Sequence, residues 1–369
     1  MLRFLLIFIS VYTGMNALVY FKAKALFPHR LLIHHFLLVF VVLMVAAPIG
    51  VRFLEKNGFE WPARLLAYLG YYWMGFVFLS LWGFLAAGAV GLIFKLINFL
   101  LGANLPSLAG RGGTVVVFTA VLLTCIYGCI EAQSIKVEHL EIKTGKLPQG
   151  VDHLRIAQIS DVHLGLINGK DRLQRIVDLI RAEQPDILVA TGDVVDGDMA
   201  TNGEIHQVLE QVQPRFGKYA VTGNHEFYAG LDQALKTIER CGFKVLRGEA
   251  ITSGGLNIVG IDDPTVGSVT DEASLLGPLQ NGLFTLYLKH RPDVPEETRG
   301  LFDLQLSGHT HRGQIFPFNF FTGIVYPKQN GFYDLGRGSM LYTSRGSGTW
   351  GPPMRVLSPP EVTIIDLVR

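Results

Sequence analysis

Carboxylate, amide and imidazole side chains recur directly after short apolar stretches in the second half of the sequence. They form five clusters: Asp161 with His163, Asp193 alone, Asn224 with His225, His290 alone, and His309 with His311. Imidazole and carboxylate ligands without thiolates suit divalent ions such as Zn, Mn, Fe or Mg. Residues two positions apart beyond a strand end can turn to one ion or serve neighbouring ions. The clusters therefore predict a site for two divalent metal ions.

Each cluster alone is weak evidence, because an isolated Asp-Val-His or Gly-Asp is more often a turn or a helix cap. A lone histidine such as His290 is more often a surface residue or a hydrogen-bonded core residue. Five clusters in this arrangement favour a functional site instead. Glycines at positions 192, 223 and 308 permit close backbone approach. Asp193 is the candidate carboxylate that bridges two cations, which such sites hold about 3.5 to 4 Å apart.

The stretches before these clusters read as strands that alternate with amphipathic helices. Apolar and β-branched composition predicts strands at 137–142, 154–159, 187–190, 218–221, 256–261, 284–288, 304–306, 340–343 and 362–367. Apolar residues at intervals of three and four predict helices at 171–183, 204–212 and 231–241. This alternation indicates a layered α/β domain. Strand ends in such domains bring loops together, so the five clusters are expected to converge.

The first third of the chain has a different composition. It contains four uncharged apolar runs, at 4–21, 31–51, 65–94 and 112–130, in a sequence that is 49% hydrophobic. A membrane-spanning helix needs about 20 such residues. We therefore expect an α-helical, multi-pass transmembrane region of about four spans at 1–132, followed by the globular domain at 133–369. A cleaved signal peptide is the alternative for the first run, but it offers no clear small-residue cleavage site.

The net charge and the cysteine content limit the kinds of partner, disulfide and metal site that the chain is expected to have. The net charge is +1, so no strong field favours nucleic acid, and no protein partner is predicted. The three cysteines suggest neither a disulfide framework nor a thiolate metal site. Basic residues are divided almost evenly between the two sides of the predicted membrane region. A slight excess in the first and third loops favours a cytoplasmic position for these loops and a catalytic domain outside the membrane. We expect a multi-pass integral protein of the plasma or inner membrane.

Taken together, the five clusters resemble the calcineurin-like metallophosphoesterase superfamily. The resemblance implies a two-sheet β-sandwich flanked by helices that holds two metal ions. It assigns Asp161, His163 and His311 to the first ion and Asn224, His290 and His309 to the second, with Asp193 as the bridge. It also implies that His225 is not a ligand and protonates the leaving group.

Four longer segments narrow the resemblance to the YkuE-type, membrane-attached branch: 161–165, 288–293, 308–314 and 344–353. Relatives in that branch include enzymes implicated in hydrolysing the pyrophosphate of a UDP-linked, acylated glucosamine. The resemblance therefore implies metal-dependent hydrolysis of a phosphodiester or pyrophosphate bond, with a lipid-linked substrate favoured. The alternatives are an anchored enzyme for soluble nucleotides or cell-wall phosphate esters, and a non-enzymatic sensor with structural metals, which the extra histidine His225 disfavours.

The expected reaction is in-line attack by an activated water on phosphorus, without a covalent enzyme intermediate. His225 would donate the leaving-group proton. Three carboxylates could orient the metal ligands through hydrogen bonds: Asp196, Asp198 and Glu226. Arg312 and Arg345 are the predicted substrate-binding residues, because a guanidinium can hold a phosphate through two hydrogen bonds. Trp350, in a glycine-containing loop, could cover an acyl or sugar group.

Overall fold

The structure, a computed structural model, describes residues 2–197, 204–267 and 270–369. These residues form two compact units. One unit ends at Ile130 and also includes Gly351–Met354, and the other comprises Glu131–Trp350 and Arg355–Arg369.

Long apolar helices make up the N-terminal unit. They are α1 (Leu2–Leu26), α2 (Leu31–Lys56), α3 (Glu60–Leu101) and α4 (Arg111–Gln133). Each is long and apolar enough to cross a membrane, so the prediction of four apolar helices is confirmed. Asn16 is fully buried among them. It accepts a hydrogen bond from the Trp73 indole at 2.7 Å and donates one to the Tyr12 carbonyl at 2.9 Å, so its burial leaves neither amide group unpaired.

Two mixed six-stranded sheets form the framework of the second unit. Twelve strands contribute: β1 (Lys136–Lys143), β2 (His153–Ile159), β3 (Ile187–Thr191), β4 (Lys218–Val221), β5 (Phe243–Val245), β6 (Glu249–Ser253), β7 (Leu256–Gly260), β8 (Phe284–Leu288), β9 (Leu304–Ser307), β10 (Gly331–Gly336), β11 (Ser339–Thr343) and β12 (Glu361–Val368). The first sheet has the order β1-β12-β2-β3-β4-β5 and the second β10-β11-β9-β8-β7-β6.

Helices and the facing sheets enclose separate apolar cores. The helices are α5 (Lys170–Glu183), α6 (Glu204–Leu209), α7 (Asn224–Ala229), α8 (Leu231–Arg240), α9 (Glu272–Leu276) and α10 (Asn319–Val325). Apolar residues of α5, α6 and α8 pack on one face of the first sheet. Its other face packs against the second sheet, with Ile156, Val189 and Leu286 among the buried residues. This is the sandwich that the resemblance implied.

The nine predicted strands are all present, and their bounds agree with the structure to within one residue at each end. The helix predicted at 204–212 is shorter and ends at Leu209. Two tighter backbone turns follow it, from Gln211 N to Val208 O and from Val212 N to Leu209 O. Pro214 disfavours helical conformation at Gln213, so the helix cannot continue through these turns.

Candidate metal centre

The metal-ligand candidates all follow the C-terminal ends of strands from both sheets. Strand β2 leads to Asp161 and His163, β3 to Asp193, β4 to Asn224, β8 to His290, and β9 to His309 and His311. In the first sheet, β3 is parallel to both β2 and β4, and in the second sheet β8 is parallel to β9. The carboxyl ends of parallel neighbours lie at the same edge of their sheet. The structure brings the side chains together in three overlapping groups of acidic and imidazole residues.

The first group consists of Asp161, His163 and His311. The Nε2 atoms of the two histidines lie 3.1 Å apart, and His311 Nε2 lies 3.4 Å from Asp161 Oδ1. Ligands that share one ion through bonds of about 2.1 Å are separated by roughly 3.0 to 3.4 Å. The donor atoms therefore have the spacing of ligands to a common divalent ion.

Asp193, His290 and His309 form the second group. His290 Nε2 lies 3.2 Å from Asp193 Oδ2 and 3.2 Å from His309 Nδ1. The opposite ring nitrogens have protein partners: His290 Nδ1 donates to the Thr191 carbonyl at 2.7 Å, and His309 Nε2 meets the Tyr326 hydroxyl at 3.1 Å. Such contacts fix the ring orientation and the nitrogen that faces an ion.

Asn224 and Asp193 supply the remaining donor atoms. Asn224 Oδ1 is buried and accepts no hydrogen bond within the described part of the chain, which fits a metal ligand and is costly without one. Asp193 Oδ2 lies 3.2 Å from His290 and 3.9 Å from His163, so one carboxylate faces both groups. The residues present thus fit a centre for two divalent cations.

The backbone at these ligands is held in an uncommon conformation. Five of them have a positive φ: Asp161, His163, Asp193, His309 and His311, between 47° and 71°. This region is sparsely populated by residues other than glycine, and it persists where surrounding contacts enforce it. Glu226 is one such contact, because its buried carboxylate accepts the backbone N–H groups of Asp193 and Gly223. The prediction that Glu226 orients a metal ligand agrees with this geometry.

Close approach explains all three glycines. A β-carbon at Gly192 would lie only 2.5 Å from His290 Nδ1. A β-carbon at Gly223 would collide with the Asp193 carboxylate, and one at Gly308 would collide with Ser160 and the Asp161 carboxylate. The backbone of β9 can therefore approach β2 closely enough for the His309 N–H to donate to both Asp161 oxygens at 3.0 Å.

Burial and charge divide the imidazoles into two kinds. Burial lowers the pKa of His163 to about 4 and that of His309 to about 3, so both are neutral and able to bind metal. Burial also opposes the charged form of His290, but the Asp193 carboxylate outweighs it and raises the pKa of His290 to about 10. A cation at the second group must therefore displace a proton from His290.

His225 belongs to the third group, together with His163 and Asp193. Its Nδ1 donates to Asp196 Oδ1 at 3.1 Å, which leaves Nε2 as the nitrogen for proton donation. Burial alone would lower the pKa of His225, but the charge of Asp193 and the contact with Asp196 raise it to about 9. The exposed rings of Tyr228 and Trp350 lie 5.4 and 5.7 Å from the imidazole. Asp198, the third carboxylate considered, lies outside the described residues.

The two predicted substrate-binding arginines differ in their surroundings. Arg312 directly follows a metal-ligand candidate, is partly exposed, and forms no side-chain hydrogen bond or ion pair with the described residues. Arg345 is buried, and its Nη2 lies 2.5 Å from carboxylates of both Glu138 and Glu361. The geometry therefore leaves Arg312 available for a phosphate and engages Arg345 inside the fold.

Two residues beside the ligands were not found from the sequence. Arg355 is fully buried, its Nη2 lies 3.0 Å from His311 Nδ1, and it donates to the carbonyl groups of Arg345 and Gly348. Tyr326 contacts His309 through its hydroxyl. Neither follows a strand end, so the pattern that identified the ligands carries no signal for them.

Comparisons with known proteins bear on this centre. The pattern that defines the family described as "Calcineurin-like phosphoesterase" matches residues 154–313. An uncharacterized metallophosphoesterase of Aquifex aeolicus is 40% identical over 257 residues, which cover 68% of this chain and 98% of the relative. A transmembrane protein with a metallophosphoesterase domain from Danio rerio is 34% identical over 68% of this chain and 61% of its own length. The YkuE metallophosphoesterase of Bacillus subtilis is 31% identical over 64% of this chain and 87% of its own length.

Proposed function

Because the chain belongs to the calcineurin-like phosphoesterase family, whose members are metal-dependent phosphoester hydrolases with a dinuclear metal site, we propose that it cleaves a phosphodiester or pyrophosphate bond in a lipid-linked substrate. The observation that carries the reaction class is the position of the Asp193 carboxylate, which faces His163 of the first ligand group and His290 of the second, with His225 next to it. When bound, two divalent cations would lower the pKa of the attacking water and neutralise charge that develops on the phosphoryl oxygens.

The protein side chains have separate roles in this proposal. Asp161, His163 and His311 hold one cation. Asn224, His290 and His309 hold the other, and Asp193 faces both. His225 donates a proton to the leaving oxygen from Nε2, since its Nδ1 is engaged by Asp196. Arg312 binds a non-bridging phosphate oxygen.

The lipid-linked substrate rests on the attachment of the domain to apolar helices. Helix α4 ends at Gln133 and strand β1 begins at Lys136, so two residues separate them. Two extended residues reach at most about 7 Å. We propose that the chain crosses the membrane four times and that this short connection tethers the domain to the membrane, with the catalytic domain on the outer side of a plasma or inner membrane.

A second candidate is an anchored enzyme for soluble nucleotides. Tyr228 and Trp350 favour it, because two exposed aromatic rings beside His225 can stack on a nucleobase. A UDP-linked acylated glucosamine contains both a nucleobase, which could stack on the aromatic rings, and acyl chains, which could lie in the membrane. It is therefore the probe that fits both candidates.

Hydrolysis by the purified full-length protein tests the proposal. The protein is stripped of metal, supplied with Mn, Zn or Mg, and assayed on bis-p-nitrophenyl phosphate, a soluble nucleotide and a UDP-linked acylated glucosamine. Asp193→Ala should abolish metal-restored turnover, whereas Asp178→Ala, at an exposed position on α5, should retain it. Faster turnover of the acylated substrate supports the lipid-linked proposal. Turnover of the nucleotide alone refutes it, and equal rates for Asp193→Ala and the unaltered protein refute metal-dependent catalysis.

A further inference from the structure

A continuous apolar surface lies between the last metal-ligand turn and strand β10. It consists of residues 316–325, here termed the apolar segment, and includes α10. Among its side chains Phe320, Ile324 and Val325 are 62%, 79% and 68% exposed. Phe316, Phe318 and Phe321 are exposed as well. Single exposed apolar residues are ordinary, but a contiguous group marks a surface that meets something apolar.

The segment has the charge distribution of a surface for anionic lipid. Residues 313–327 contain no charged side chain, and Arg312 and Lys328 flank them. Within the described part of the chain, neither cation forms a side-chain hydrogen bond or ion pair. An apolar surface bordered by unpaired basic residues favours insertion at the boundary between headgroups and acyl chains, where the cations meet lipid phosphates.

Backbone hydrogen bonds within the apolar segment also favour its placement in the apolar part of a lipid bilayer. The Thr322 N–H donates to the Phe318 carbonyl at 3.1 Å, and the Tyr326 N–H donates to the Thr322 carbonyl at 2.7 Å. The segment has two polar side chains. The Thr322 hydroxyl donates to the Phe318 carbonyl, and the Asn319 Oδ1 is buried and accepts no hydrogen bond from the described residues. Internal hydrogen bonds of this kind remove the main cost of placing a backbone in lipid. A protein partner would instead meet a surface almost without polar groups for its rim.

Both ends of the segment are joined to the metal centre. Arg312 follows His311 directly. At the other end, the Tyr326 ring packs edge-on against His309 at 5.0 Å, and its hydroxyl lies 3.1 Å from His309 Nε2. Whatever covers the segment is therefore brought next to the second ligand group.

We propose that the apolar segment inserts into the bilayer surface, so that an amphiphile presents its phosphate to the metal centre while its acyl chains stay in lipid. This inference rests on the proposed function for the identity of the substrate, but the insertion itself does not require turnover. The occupant is the lipid bilayer, with anionic headgroups at Lys328 and the phosphate of the inserted amphiphile at Arg312.

Fluorescence quenching in nanodiscs of phosphatidylcholine and phosphatidylglycerol tests the insertion. The full-length chain, with Cys125, Cys129 and Cys241 replaced, carries an environment-sensitive fluorophore at Ile324→Cys. A matched protein carries it at Lys236→Cys, an exposed position on α8. Nitroxide-labelled lipid should quench the fluorophore at 324 several-fold more strongly than that at 236. Circular dichroism and thermal unfolding check that both labelled proteins are folded.

Other outcomes overturn the inference in distinct ways. Quenching of position 324 by aqueous iodide, but not by labelled lipid, places the segment in water. Protection from both quenchers means that protein covers it. If lipid quenches position 324 but the acylated substrate is not hydrolysed, the insertion stands and the proposed substrate is refuted.

Discussion

Glu226→Gln tests whether one buried carboxylate maintains the backbone of the metal centre. Its Oε2 accepts the N–H groups of Asp193 and Gly223 at 2.9 and 2.7 Å, and its Oε1 accepts those of Val194 and Val195 at 2.7 and 3.2 Å. Each oxygen thus faces two donors. Whichever way a glutamine amide lies, its NH₂ group replaces one of these acceptors and meets two N–H groups.

The expected destabilisation follows from two lost hydrogen bonds to a charged group. At about 1.5 to 3 kcal/mol each, the loss is about 3 to 6 kcal/mol. For a domain of this size, 1 kcal/mol lowers the melting temperature by about 2 to 4 °C, so we expect a decrease of about 6 to 24 °C. Because burial and the charge of Asp193 raise the pKa of Glu226 to about 7, the comparison is made at pH 8, where the wild-type carboxylate is ionised.

Thermal unfolding of the full-length protein in detergent provides the measurement. Metal-stripped samples separate the loss of backbone support from any loss of bound ions, and metal content is determined on untreated samples. Glu239→Gln, at an exposed position on α8, is the matched control. If Glu226→Gln lowers the melting temperature no more than this control, the proposed role of the carboxylate is wrong.

Three further substitutions test the centre. Asp196→Asn removes the charge that raises the pKa of His225, so the alkaline limb of the kcat profile should move to lower pH by roughly one to two units; an unchanged limb would exclude His225 as the acid that this carboxylate supports. Gly308→Ala forces the backbone away from the first ligand group and should reduce kcat/KM about 100-fold. Gly277→Ala, where a β-carbon meets nothing, should not, and similar rates in the two variants would contradict the steric argument. Arg312→Ala should raise KM with little change in melting temperature, whereas an unchanged KM would remove it from the substrate site.

The convergence of the ligand candidates could be predicted because its signal is local. Each of Asp161, Asp193 and His309 follows an apolar strand within a few residues, and the parallel pairing that unites the strand ends is a general property of such sheets. The resemblance to a family supplied what spacing could not, namely which ligands share an ion.

The remaining contacts join residues that no short sequence pattern brings together, so they could not be predicted. Tyr326 reaches His309 from beyond α10, whose short apolar sequence lacks the periodicity of a packed helix. Arg345 looked available for phosphate because it follows β11, but its partners Glu138 and Glu361 come from the first and last strands. Strand β5, with three residues, is too short for alternation to be recognised.

The order of strands in the first sheet has a consequence for biosynthesis. Strand β1 begins just after α4 and joins the sheet only through β12, which lies between β1 and β2. The two pair in register from Lys136 with Glu361 to Lys143 with Val368. The ribosome makes β1 long before β12, so the strand that follows the apolar helices must wait without its partner while the rest of the domain is translated. Its exposed edge during that interval is a potential binding site for a chaperone.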